Sequence, residues 1–189
     1  MNSFRLAKKE ELHEVATLFT ESFLEYPLFP LILKQDKDYK KYLYRLNYTN
    51  TKSYLQQNAC FVGTLDGKIV SAVLLKKSGA KGPGFVQYLF NGGLALAGQI
   101  GIKRIYHILK TLDKMKEACN RYWKESWYID SFAVAKGHQG KNLGSTLFNA
   151  FLFPLSVSMG AAGLHSLPTP NLIKSFTART VLRFLTNLA

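Results

Sequence analysis

The sequence predicts a mixed α/β domain with an antiparallel hairpin inside it. Three observations carry that prediction: an amphipathic helical run near the start, an Asp66-Gly67 pair between two apolar β-branched segments, and a glycine-bearing loop, "KGHQGKNLGSTL", between a strand and a helix. At 189 residues the chain reads as one domain, long enough to bury a real core. Its 47% hydrophobic and 20% charged residues are those of a folded globular protein and exclude a disordered one.

"SFRLA" is a short first strand. "KKEELHEVATLFTESFL" then places Leu12, Val15, Ala16, Leu18, Phe19 and Phe23 at helical spacing, with acids in the first turns where they favour the helix N-terminus. "YPLFP" ends that helix, because proline cannot continue it. "DYKKYLYRLNYTNTKSYLQQN" is a second, tyrosine-rich helix whose aromatics fit core and rim packing. In "ACFVGTLDGKIVSAVLLKK", Asp66-Gly67 is a tight-turn pair and predicts a hairpin. After the loop "GAKGPG", residues from about 85 to 124 read as helical, "WYIDSFAVA" returns to strand, and "GSTLFNAFL" is helical again. From Leu143 to Ile173 the only titratable side chain is His165. Pro154, Asn149, serines and glycines interrupt that stretch, so it does not read as a membrane span.

The formal net charge of +13 points to an anionic partner: nucleic acid, a membrane surface or a phosphorylated cofactor. Without an RGG or RNP-like run or a dense basic block, nucleic acid is the minority reading. All twelve acidic residues precede or include Asp130, leaving the C-terminal segment without any. Cys60 and Cys119 lie far apart and match neither metal nor redox spacing, as expected of reduced thiols in a cytosolic protein. "MNSFRLAKKEELHEV" has no apolar leader region, so a cytoplasmic location is expected.

The loop carries the chemistry. Phosphate binding needs converging backbone N–H groups with a helix N-terminus behind them, and glycines that let the ligand come close. Gly140 and Gly144 suit this task, Lys141 adds charge, and Ser145 is placed to cap the following helix. The spacing is neither GxxxxGK[ST] nor GxGxxG.

"AVAKGHQGKNLGSTL" resembles the acetyl-CoA pyrophosphate loop of the GNAT N-acetyltransferase superfamily, Gln/Arg-x-x-Gly-x-Gly/Ala after a strand ending in Val. Gln139, Leu143 and Gly144 fall on that pattern. Asn142 stands where the first glycine belongs, and asparagine is the best non-glycine residue for a left-handed backbone position. "FRLAKKEELHEVATLFTESF" is similar to the family's first strand and helix, and the hairpin falls at its second and third strands. The helical insertion before "WYIDSFAV" resembles the puromycin-type branch. The family-like part spans about 3–150 of a single domain, with an atypical tail over 151–189. The fold implied is a mixed, mostly antiparallel sheet flanked by helices.

The resemblance implies direct acetyl transfer from acetyl-CoA to the amine of a small molecule, with no metal. Backbone amides from Gln139 through Gly140, Lys141, Asn142 and Leu143 to Gly144, with Ser145 behind them, are then the pyrophosphate grip. The strand edge at Phe132, Ala133 and Val134 pairs with the pantetheine arm. Amine acetylation needs a base for the amine proton and an acid for the leaving thiolate. On a regular strand Tyr128, Asp130, Phe132 and Val134 share one face. Asp130 is the candidate base, ahead of Glu125 and Tyr128, against an equal reading of Asp130 as a structural acid. His138 reads as a positioning or surface residue.

The family ends with a fifth strand and Asn-x-x-Phe-Tyr-x-x-x-Gly-Phe, whose tyrosine serves as the acid. Here no tyrosine follows Tyr128. Codons shifted by one base permit, without forcing, Asn-Lys-Lys-Phe-Tyr-Arg-Ala-Asn-Gly-Phe at the correct spacing, so the segment from about 151–155 onward reads as out of frame and the fifth strand as lost; the alternative is a genuinely divergent, basic C-terminus that packs in its own way. Two other functions compete with the enzyme: a non-catalytic acyl-CoA-binding or regulatory module that keeps the loop but lacks the acid, and a basic nucleic-acid binder supported by charge alone. The acceptor amine and the oligomeric state are not legible in the sequence.

Overall fold

Asp66 (φ 50°) and Gly67 (φ 79°) both take left-handed backbone. A two-residue turn whose twist matches the flanking strands needs that combination. The turn closes β2 (Cys60–Leu65) onto β3 (Lys68–Lys76) as the predicted hairpin. The computed structural model describes residues 3–77, 80, 85–103, 105–106, 110, 126–161 and 163–166. Within them, β1 (Ser3–Leu6), the hairpin, β4 (Ser126–Val134) and β5 (Gly163–Ser166) form one sheet in the order β1-β2-β3-β4-β5. The first four strands are antiparallel, and β5 joins β4 in parallel.

A 3-10 turn, Lys9–Glu11, leads into α1 (Leu12–Phe23), which buries Val15, Ala16, Leu18 and Phe19. Pro27 ends this region as expected but also opens a short helix, α2 (Leu28–Ile32). The tyrosine-rich run is α3 (Tyr39–Leu55). The helical reading after residue 85 is seen as α4 (Phe85–Tyr88), a π-helical turn (Leu89–Gly93) and α5 (Leu94–Ile100). Most of its continuation to residue 124 lies outside the described residues. Beyond β4 the chain enters α6 (Leu143–Leu147), a π-helical turn (Phe148–Leu152) and α7 (Phe153–Ser158), one helical body that starts at the loop.

Two cores lie on the two faces of the sheet. On one, Val15, Leu18 and Phe19 of α1 and Tyr54 of α3 pack on Val62, Ala72, Leu74 and Ala133. On the other, Leu147 and Leu152 pack on Phe61, Val73, Leu75 and Trp127. Cys60 is buried in the first core, and that burial pushes its thiol up to about 12, an unreactive state. Among the described residues no helix is long and apolar enough to cross a membrane.

The fifth strand, read from the sequence as lost, is present over four residues. "GLHS" forms it directly before Leu167 and Pro168, and proline obstructs strand pairing only from its own position onward. The rest of the segment read as out of frame, residues 167–189, lies outside the described residues.

One ion pair fixes the start of the chain against α1. The Arg5 guanidinium donates to both Glu11 oxygens, at 2.9 and 2.6 Å, and the Lys8 N–H donates to the same carboxylate at 2.7 Å. The Arg5 contact, ahead of the others, holds the Glu11 carboxyl below the usual carboxylate range. Glu11 therefore stabilises the fold at pH above the ordinary glutamate pKa of about 4.3, and this contribution is lost as pH falls through its lowered folded value. Arg5→Met should lower the melting temperature at neutral pH, and the gap to wild type should close in acid. A gap of constant size across that range would show that the charge pair contributes nothing.

Candidate active site

Strand β4 organises the site because its pairing slips by one residue. Ser131 lies opposite Leu74 and Ile129 opposite Leu75, so the register skips Asp130, which forms a β-bulge. A bulge resets the alternation of side chains that follows it. Ile129 and Phe132 consequently pack in the same core as Trp127 and Leu147. Asp130 turns to the opposite face, where the Asn50 amide of α3 donates to its Oδ2 at 2.8 Å. This corrects the sequence expectation that Asp130, Phe132 and Val134 share a face: Val134 and Phe132 instead lie against the helix after the loop, within 3.6 Å of where a Gly144 Cβ would be.

The surroundings of Asp130 come from three segments distant in sequence. Asn50 accepts from the Tyr88 hydroxyl at 2.7 Å. The Ser131 hydroxyl lies 3.4 Å from Asp130 Oδ2. Tyr54, 1% exposed, lies beside Asp130. Burial, first, and then the neighbouring Asp130 charge push the Tyr54 phenol well above the ordinary tyrosine range, so it stays a donor at any working pH. Tyr128 is buried beside this group. Glu125, the alternative base, lies outside the described residues. Asn50, Tyr54 and Tyr88 were not legible as site residues, because only α3 and α4 docking over the bulge brings them together.

The loop at the end of β4 takes the conformation that its residues allow. Gly140 has φ 76° and Asn142 φ 58°, both left-handed. Asn142 is the N-cap residue of α6, and Ser145, expected as the cap, sits inside the first turn, where no side-chain cap forms. The asparagine thus does what the missing glycine would do, and it starts the helix in the same step. Residues Gln139 to Asn142 are exposed. A Cβ at Gly137 or Gly140 would meet nothing within 4 Å, so the backbone there is open to a ligand. Lys141 Nζ folds back to the Gly137 carbonyl at 3.0 Å, keeping a positive charge over the loop. Residues 143–145, in the first turn of α6, have N–H groups without an intrahelical acceptor. His138 Nδ1 is buried without a hydrogen-bond partner beside this opening.

The edge of β4 is divided between its two neighbours. Ala135 N–H donates to Val70 O on β3, and the alternation of a ladder places the polar groups of Ala133 toward β3 as well. Phe132 and Val134 turn theirs to the β5 side. There, among the described residues, β5 pairs with Ser126–Ile129 and not with the strand beyond the bulge. Of the three edge residues predicted, Phe132 and Val134 are the ones facing that side. The Val134 carbonyl already accepts from Gln139 Nε2 at 2.9 Å, which ties the loop to the strand end.

Open left-handed backbone, first-turn amides and Lys141 fit a pyrophosphate, and the β4 edge that no described residue pairs beyond the bulge fits an extended arm. A separate cleft of about 360 Å³ runs along α1 past Ile69, Ala135 and Lys136. Glu14 and Glu21 line it, a poor surface for phosphate, and it includes neither Asp130 nor the loop from Gln139 onward.

The fold recurs in known proteins. The chain is similar to a histone acetyltransferase HPA2 and related acetyltransferase from Corynebacterium glutamicum at TM-score 0.58 and 17% identity, covering 97% of this chain and 83% of that one. It is similar to the polyamine N-acetyltransferase of Drosophila melanogaster at TM-score 0.56 and 20% identity, covering 97% and 82%. A GNAT family acetyltransferase from Brucella melitensis, crystallised with acetyl-CoA, has TM-score 0.51 and 11% identity over 95% and 81%. No curated protein matches the sequence. At these identities the structural likeness speaks to the fold, a mixed α/β GNAT fold. The acetyltransferase (GNAT) family model matches residues 12–153, which include α1, the hairpin, the bulged strand and the loop. On that match the chain belongs to the GNAT family of acetyltransferases, acyltransferases whose cofactor is acetyl-CoA.

Proposed function

We propose that the protein acetylates the amine of a small molecule, with Asp130 taking the amine proton. The observation that carries this reading is that one strand holds both halves of the site. The bulge in β4 presents a carboxylate to one face, and five residues later the strand runs into the open loop. The loop amides from Gln139 to Gly144, Lys141 and the polar groups of Phe132 and Val134 would hold acetyl-CoA, which supplies an activated acetyl thioester when bound.

The chain's own residues then have defined tasks. Asp130 accepts the proton that an amine must lose to become a nucleophile, directly or through one water. Asn50 donates to that carboxylate from α3. α3 and α4 stand on the Asp130 side of the sheet, where an acceptor would approach, and such segments vary among folds of this kind and set specificity.

The Drosophila polyamine N-acetyltransferase catalyses formation of N-acetylagmatine. Agmatine and linear polyamines therefore head the acceptor panel. Calorimetry should show saturable acetyl-CoA binding, and thiol release should rise with one or more amines of the panel. Absence of binding at millimolar acetyl-CoA would end the proposal. Binding without release across a broad panel would favour the non-catalytic acyl-CoA module instead.

A further inference from the structure

The first turns of the helical insertion are joined to α3 by polar side chains. Gln87 Nε2 donates to Gln56 Oε1 at 3.0 Å, and Asn91 Nδ2 donates to Ser53 Oγ at 2.8 Å and to Gln56 Oε1 at 2.9 Å. Asn91 and Ser53 are buried, so the bond between them is made out of water and gains directional strength, whereas the Gln87–Gln56 bond is exposed. Core packing alone would be met by apolar residues, which need no partners.

One branch of this seam does more than hold two helices together. Tyr88 Oη donates to Asn50 Oδ1, and Asn50 Nδ2 donates to Asp130 Oδ2. The carboxylate sets the orientation of the amide: reversing it would put the amide oxygen against the Asp130 carboxylate, which has no proton to donate when ionised. The chain of donors therefore has one direction, from the insertion through α3 to the carboxylate on the bulge. Asn50 and Asp130 are 80 residues apart, and Tyr88 and Asn50 are 38 apart, so neither contact follows from local structure.

We propose that Asn50 and Tyr88 are positioning residues that hold the Asp130 carboxylate in its working orientation, so that the insertion takes part in catalysis. This rests on Asp130 being the proton acceptor. The phenols of Tyr88 and Tyr128 and the Asp130 charge all lie close enough to the Tyr54 phenol to act on it. Tyr54 is locked on α3 in the core and Tyr128 on β4, while Tyr88 is carried by the insertion. α4 thus reaches Asp130 through Asn50.

The titration of Asp130 reads this connection without any knowledge of the acceptor. Carbon-13 NMR of the aspartate carboxyls in the full chain gives the midpoint, and Asp130→Asn assigns the resonance. Donated hydrogen bonds favour the ionised form. Asn50→Leu should raise the midpoint by about one to two units, and Tyr88→Phe by a few tenths of a unit. Asn50→Asp should raise one of the two coupled midpoints further, since two carboxylates in contact cannot both ionise readily. Gln87→Ala cuts the seam one residue away without touching the chain to Asp130, and its midpoint should equal that of wild type. An unchanged midpoint in Tyr88→Phe and Asn50→Leu overturns the proposal. If Asn50→Leu does not fold, Tyr88→Phe, which deletes one oxygen, decides alone. Full turnover by Asp130→Asn would instead sink the base reading, whatever the midpoints show.

Discussion

Asp130→Asn should cut turnover by about 10²–10⁴-fold, the usual contribution of a positioned proton acceptor. The substitution keeps the shape of the side chain and its place on the bulge, so the fold should survive it. It replaces the atom that accepts the amine proton with a group that has no useful basicity. Affinity for acetyl-CoA should be unchanged, because the loop and the strand edge at Phe132 and Val134 lie beyond the bulge on the other face of β4. The measurement is thiol release with the best amine of the panel, beside calorimetry with acetyl-CoA. Equal loss of binding and turnover would mean that Asp130 supports structure. Turnover within about twofold of wild type would leave the base to be found elsewhere.

Leu147→Ala should destabilise the fold by about 3 kcal/mol, within the range of about 2–5 for leucines truncated in a closed core. Leu147 is fully buried in the cluster with Trp127, Val73 and Leu75. It stands one turn after the loop, so it is also the anchor that seats α6 on the sheet. For a chain of this length the loss corresponds to a fall of roughly 6–12 °C in melting temperature. Acetyl-CoA should bind more weakly too, since the first-turn amides move with α6. Val157, 52% exposed on α7, is the control, and Val157→Ala should change stability by less than about 0.5 kcal/mol. Chemical denaturation of both variants checks the contrast. A Leu147 loss no larger than the control would show that the helix behind the loop is held by something else.

Much of the frame can be read from the sequence, because the determinants are local. The Asp66-Gly67 turn needs only two residues that tolerate positive φ, and α1 needs only its apolar spacing. Asn142 is the clearest instance: a left-handed cap is a property of one residue type, and it forms as expected with φ 58°. The fifth strand is not legible in the sequence for a related reason. "GLHS" is four residues long and has no periodicity to show, so only its pairing with Ser126–Ile129 defines it.

What the sequence determines by itself is therefore the α/β class, the hairpin, the loop conformation and, through motif order, the acetyltransferase family. What tertiary structure decides is the arrangement of the site. A one-residue slip between β3 and β4 has no sequence signature, because a strand shows period two whether or not its partner skips a residue. That slip puts Asp130 on the α3 face and Phe132 on the other. It is the packing of α3 and the insertion over the bulge that adds Asn50, Tyr54 and Tyr88. Local propensity acts over a few residues, whereas register and docking are chosen by contacts between segments tens of residues apart, and the proposed proton chemistry depends on those contacts.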